Sequence, residues 1–223
     1  MPVQLGQKPL ADFTQPLAML SECHRRIEKF LDILAHLADA SVPSPRSAGE
    51  RPGEGSSPSI SNLKSAISDP PSPLPPEQAQ ALDTALRYFR AAAPLHTQDE
   101  EVSLFPRLRA LGDGRAQAAL ATVAALERDH RAAQSAHDRL DELGRRWLAT
   151  GRLAPAVQQE FARLVQQLRD LYQPHIALED QELFPLAGQV LPPDQLAHLG
   201  REMADRRGLE VGVTVSRCAA RRR

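Results

Sequence analysis

His96-Thr97-Gln98-Asp99-Glu100-Glu101-Val102-Ser103-Leu104-Phe105-Pro106 returns as His175-Ile176-Ala177-Leu178-Glu179-Asp180-Gln181-Glu182-Leu183-Phe184-Pro185, so the chain carries one pattern twice. Both copies contain His-x-x-x-Glu. On an α-helix a residue and its fourth successor lie one above the other on the same face. Each copy therefore aims an imidazole nitrogen and a carboxylate at a common point, as a pair of metal ligands does. Duplication of the pair predicts a site built between two helices, which is how dinuclear carboxylate centres are held inside bundles.

The surrounding sequence supplies those helices. Leu20, Ile27, Leu31, Leu34 and Leu37 recur at helical steps and predict helix one over 17–40. Segment 41–76 follows, in which 22 of 36 residues are Pro, Ser or Gly. Such a composition buries too little apolar surface to offset the entropy of ordering it, so a long disordered loop is expected there. Helix two is predicted from Glu77 through Leu82, Leu86 and Phe89 to Leu108, with Gly112 and Gly114 as stop signals. Helix three spans 115–149 and is ended by Gly151. Pro155 fits the first turn of helix four, which runs down to His175. A short fifth helix is expected over 194–207, and 209–223 is read as a basic disordered tail. Pro94 and Pro174 each precede a ligand histidine and remove a backbone donor. They predict two matching kinks, or else a helix boundary one turn earlier.

The other two helices repeat as well. Helix one holds His24-Arg25 and helix three holds His130-Arg131, each with an acidic residue one or two places before the histidine. The spacing from His130 to His175 is 45 and from His24 to His96 is 72, an excess that the 41–76 insertion more than covers. Two helical hairpins follow, each contributing one lone histidine and one His-x-x-x-Glu, packed about an approximate two-fold axis. Such a bundle delivers His24, His96, Glu100, His130, His175 and Glu179 to its centre. Six mixed nitrogen and oxygen ligands suit two iron ions, or manganese, better than zinc, which in structural sites takes four ligands and often thiolates.

Composition bounds the alternatives. The 223 residues, 42% of them apolar, have room for one helical domain, and the net charge is −1. The two cysteines, Cys23 and Cys218, are too few for a disulfide framework, so a reducing cytoplasm is expected. No apolar run approaches the roughly 18 residues of a membrane span. The stretch from Arg201 to Arg223 carries seven arginines, yet it lacks interleaved aromatics, and no specific nucleic-acid or membrane partner is expected.

These motifs, with the Leu-Phe-Pro that closes each one, resemble the hemerythrin-like, or His-His-Glu cation-binding, domain family. The resemblance covers 17–208 without the insertion. It implies an all-α, up-down four-helix bundle over 1–208 around a non-haem di-iron centre, with the six residues above as its ligands. Family members bind dioxygen, sense oxygen, nitric oxide or iron, or take part in repair of iron centres. One departure stands out. The oxygen-carrying members place two histidines one turn apart on helix three, whereas the residue one turn after His130 is Gln134. The centre is more open for it, which favours sensing or redox chemistry over reversible storage.

Several neighbours have bland readings. Glu28 would complete a third His-x-x-x-Glu, but Arg25 and Arg26 offer it surface partners. Glu101 and Asp180 adjoin the ligand glutamates and either accept hydrogen bonds from ligand imidazoles or face water. His137 lies seven residues beyond His130, about 10 Å along the axis, and is placed to line a cavity. Tyr172 is a candidate to offer its phenol near the ligands, Cys23 points away, and His36 and His198 belong on the surface. The leading expectation is a cytoplasmic di-iron protein that binds or senses dioxygen, nitric oxide or peroxide. A di-iron redox enzyme or iron-centre repair protein is the alternative, although the chain shows no flavin motif or cysteine cluster to feed turnover. A metal-free helical interaction module is the third.

Overall fold

A computed structural model describes residues 12–41, 73–111 and 114–209. Five helical rods make up this part of the chain, and no strand occurs among the described residues. Rod α1 is Pro16–Ser41. Rod α2 joins Pro76–Ala91, Ala93–Gln98, a π-helical turn Asp99–Leu104 and Phe105–Ala110. Rod α3 is Gly114–Thr150. Rod α4 joins Pro155–Leu178, a second π-helical turn Glu179–Leu183 and Phe184–Val190, and α5 is Pro193–Asp205. Each of the first four packs against two neighbours, α1 on α2 and α4, and α3 on α2 and α4, which closes an antiparallel four-helix bundle. Its α5 lies against α1 and the π turn of α2.

The local sequence explains most boundaries. Pro76, Pro155 and Pro193 stand in first turns, where the missing N–H costs nothing. Gly151 and Gly208 adopt φ of 70° and 64°, the left-handed conformation that ends a helix cheaply with glycine. Gly114 starts α3 instead of ending α2, and helix two begins at Pro76, so the expected insertion must end before it. Residues 42–72 and 210–223 lie outside the described residues, and with them the expected disorder of loop and tail.

Neither of the two expected matching kinks appears as such. Pro94 follows an interruption at Ala92, whose N–H bonds back to the Tyr88 carbonyl, while Pro174 lies within the unbroken helix Pro155–Leu178. The matched distortions come one turn later, around the glutamates. There the Phe105 N–H reaches the Glu100 carbonyl and the Phe184 N–H reaches the Glu179 carbonyl, each five residues back. The cause is the proline that follows: Pro106 and Pro185 have no N–H to give and crowd the carbonyl four residues before them. A wider turn relieves both problems. Such turns recur at functional sites.

Apolar side chains form two separate clusters. One is built from residues such as Ile27, Leu34, Leu86, Leu140, Phe161 and Leu168, the other from Leu20, Leu104, Phe105, Leu126, Phe184 and Met203. Between them lies a polar layer, because each of the first four rods places its histidine or His-x-x-x-Glu where the apolar pattern passes from one cluster to the other. Gly200 of α5 sits tight against the chain before α1: a Cβ there would stand 1.9 Å from the Phe13 carbonyl oxygen. Gly200→Ala is expected to push that segment away and cost about 1–3 kcal/mol. A thermal-denaturation midpoint equal to that of the parent would refute this packing.

Candidate metal centre

All six sequence-predicted side chains meet in the polar layer. His24, His96, Glu100 and Glu179 bring one nitrogen or oxygen each within 4.8 Å of one another, and so do His130, His175 and Glu179. Glu179 belongs to both groups. His24, His96, Glu100, His175 and Glu179 are at most 3% exposed, and the His130 side chain is 6% exposed. Their facing atoms are close: His24 Nε2 is 3.0 Å from Glu179 Oε2 and 3.8 Å from Glu100 Oε1, and His96 Nε2 is 3.2 Å from Glu100 Oε1. On the other side His130 Nε2 lies 3.4 Å from Glu100 Oε2 and 3.1 Å from His175 Nε2, which is 3.3 Å from Glu179 Oε2.

Hydrogen bonding does not satisfy this cluster. All four carboxylate oxygens of Glu100 and Glu179, and His24 Nε2, are buried without a hydrogen-bond partner. An unpaired buried polar atom costs about 1–3 kcal/mol, more when charged. Several such atoms pointing at one another form a donor set that a cation fits. Spacings of 3.0–3.4 Å also resemble what atoms bonded at about 2.0–2.2 Å to one cation keep between them.

The outward nitrogens of three imidazoles are held by carboxylates, and two of these bonds cross between the halves of the repeat. Asp180, next to Glu179, accepts from His24 Nδ1 at 3.0 Å and from Ser21 Oγ at 2.6 Å. Glu101, next to Glu100, accepts from His130 Nδ1 at 2.9 Å. Asp129 stands 3.4 Å from His175 Nδ1. Carboxylates so placed orient an imidazole and raise its basicity as a ligand. The aromatic residue of each Leu-Phe-Pro crosses in the same sense. Phe184 stacks on His24 with ring centres 5.4 Å apart, and Phe105 lies parallel to His130 at 6.4 Å. Sequence reading identified Glu101 and Asp180 as candidates but gave no role to Phe105 or Phe184. Their shared place in the repeat was the available signal.

Charge is distributed unevenly. Burial works against a charged His24, but Asp180, Glu100 and Glu179 outweigh it and push its pKa up to about 12. Burial, then the charge of Glu179, lifts Glu100 to about 8. Glu179 is itself opposed by burial, yet the close imidazoles and charges of His175 and His24 hold it well below the carboxylate range. Burial and the nearby His24 charge keep His96 neutral. Protonated His24 thus faces the Glu179 carboxylate, while Glu100 retains a proton at neutral pH.

The remaining candidates fall around the centre. Tyr172, 9% exposed, shares a 3.0 Å hydrogen bond with His137 Nε2, and its ring centre is 6.0 Å from that of His175. His137 stacks on Phe89 at 4.7 Å, and burial lowers its pKa to about 4. Glu28, His36 and His198 are exposed, and Cys23 is buried. Arg206 and Arg207 have a role that none of the motifs assigns: they reach from the end of α5 to Asp99, which is fully buried beside Glu100, at 2.8 and 2.7 Å, and Arg206 also donates to Ser103. No local spacing in the sequence announces that contact.

Two comparisons bear on this site. A family model described as the hemerythrin HHE cation-binding domain matches residues 15–187. An uncharacterized protein of Haemophilus influenzae is 26% identical over 204 residues, which is 91% of this chain and 96% of that protein. No helix among the described residues is long and apolar enough to cross a membrane.

Proposed function

This chain belongs to the hemerythrin HHE cation-binding domain family, and from that premise we propose that it is a cytoplasmic protein holding two iron ions to bind or sense dioxygen or a relative such as nitric oxide or peroxide. His24, His96, Glu100, His130, His175 and Glu179 would hold the ions. The observation that carries the reading is the buried, unpartnered set of glutamate oxygens directed at imidazole nitrogens. A metal-free interaction module would leave that desolvation cost offset only by protons on His24 and Glu100. Six mixed nitrogen and oxygen donors support iron, with manganese as the alternative, over four-coordinate zinc.

When bound, the ions supply open positions at which a small molecule is taken up. The chain's own residues shape that event. Asp180, Glu101 and Asp129 fix the imidazoles in orientation. Phe105 and Phe184 cover two of them and exclude water. Elemental analysis of the purified protein tests the reading: about two irons per chain, with an absorption band that changes on admitting dioxygen, is the expected result. Sustained consumption of reductant would favour a redox enzyme instead, and a metal-free protein would overturn the proposal.

Uptake should depend steeply on pH, because the cation displaces the protons on His24 and Glu100. At least two protons leave below about pH 8 and at least one above it, so affinity rises with pH by no less than about 100-fold per unit at first and about tenfold per unit thereafter. Competition against a coloured chelator between about pH 6 and about pH 9 measures this. A flat profile would show that neither group is displaced.

A further inference from the structure

A cleft of about 350 Å³ opens between α2 and α3, with Tyr172 of α4 also in its wall, and the ring of His130 forms part of its lining. The imidazole whose Nε2 faces Glu100 and His175 therefore also bounds the cleft. A water molecule needs about 10–15 Å³ of such space, so a diatomic ligand needs only a few tens. The cleft exceeds that by about an order of magnitude and reaches the roughly 300–1,000 Å³ of pockets that hold organic molecules.

Its chemistry is selective. Leu86, Phe89, Ala93 and Leu140 give it an apolar wall. Of the charges at its lip, Arg90 Nε lies 3.2 Å from Asp141, which also receives Arg145 at 2.9 Å, and Asp138, which accepts from the Gln134 amide at 2.8 Å, is exposed to water that screens it. No charge is left both buried and unpaired in the wall to recognise an ion. Thr97, Gln98 and Gln134 also line the cleft, but among these polar groups it is the Tyr172–His137 pair that holds a buried atom without a partner. Its two groups share one hydrogen bond, and His137 Nδ1 is buried without a partner. A phenol offers one donor and two lone pairs, so the pair retains capacity for one more hydroxyl.

We propose that this cleft binds an uncharged, mostly apolar organic molecule bearing a hydroxyl-type group, seated with that group at Tyr172 and His137 beside His130. The inference deepens the proposed function and rests on it in one respect, namely that the bound molecule is a substrate or effector of the metal centre. A diatomic ligand alone would leave the size and the polar pair of the cleft unused.

The test is fluorine NMR on the full chain with 4-fluorobenzyl alcohol as probe, and with 4-fluorobenzoate and 4-fluorotoluene as the charged and hydroxyl-free controls. Saturable binding of the alcohol, at least about tenfold tighter than of either control, is expected, because a buried charge or an unmet hydrogen bond is penalised. Gln134→Trp, at an exposed position on the cleft wall, should weaken the alcohol about tenfold by filling the space. Tyr172→Phe should remove its advantage over fluorotoluene while fluorotoluene itself still binds. Absence of saturable binding, equal binding of the benzoate, or affinities unchanged in both variants would overturn the inference. Iron is counted on the same samples. Alcohol binding without iron would leave the cleft standing and sink the metal reading, whereas iron without alcohol binding would do the reverse.

Discussion

Glu179→Ala is expected to abolish both cation sites, taking the metal content from about two per chain to near zero. Glu179 is the residue common to the two donor groups, one with His24, His96 and Glu100 and the other with His130 and His175. Its Oε2 lies 3.0 Å from His24 and 3.3 Å from His175, so its removal strips a donor from each side. His96→Ala is the informative contrast, because His96 belongs to the first group alone. That variant should retain about half of the metal. A stability readout gives the same information: a cation at about 100 times its dissociation constant adds about 2.7 kcal/mol to the folded state. Parent protein should therefore melt at a higher temperature on adding iron, and Glu179→Ala should not. Full metal occupancy in Glu179→Ala would remove this residue from the site.

The second large effect lies outside the six. Replacing both Arg206 and Arg207 with alanine should destabilise the fold by about 3–5 kcal/mol, the usual cost of leaving a buried carboxylate without its partner. Asp99 is fully buried, and burial already lifts its pKa above the ordinary carboxylate value although both guanidinium groups pull it down. The consequence should extend to the metal. Asp99 and Ser103 lie in the π turn that carries Glu100, and both are bonded to Arg206. Loosening that turn should weaken metal binding about 10- to 100-fold, the range seen when groups that orient ligands are lost. Asp99→Asn in the double-alanine background removes the stranded charge and should restore a good part of the stability. Chemical denaturation of the parent, the double-alanine variant, Asp99→Asn alone and the combination of the two, with metal titrations on each, decides the matter. Additive effects of the arginine and Asp99 changes would show that the contact carries no energy.

The centre was legible early because its information is local. His-x-x-x-Glu needs only the 3.6-residue turn to bring its two side chains together, and duplication pointed to a paired site. Helix ends were legible for the same reason, since Pro155 and Gly151 act on their own backbone. Where local signals compete, spacing alone does not place the distortion. Pro94 and Pro174 seemed equivalent by position, yet one follows a break and the other sits inside a continuous helix. The distortions that do match arise at Pro106 and Pro185, whose backbone effect appears a turn earlier, around Glu100 and Glu179.

Taken alone, the sequence determined four amphipathic helices, the six polar side chains that interrupt their apolar faces, and the doubling of the pattern. All of these follow from helical periodicity and from residue chemistry acting over a turn or two. Only the tertiary structure decided which half serves which: Asp180 and Phe184 on His24, Glu101 and Phe105 on His130, and Arg206 with Arg207 on Asp99. Those contacts join residues 25 to 160 positions apart. Their existence depends on how helices dock, which is set by the summed burial of whole faces and is written in no single spacing.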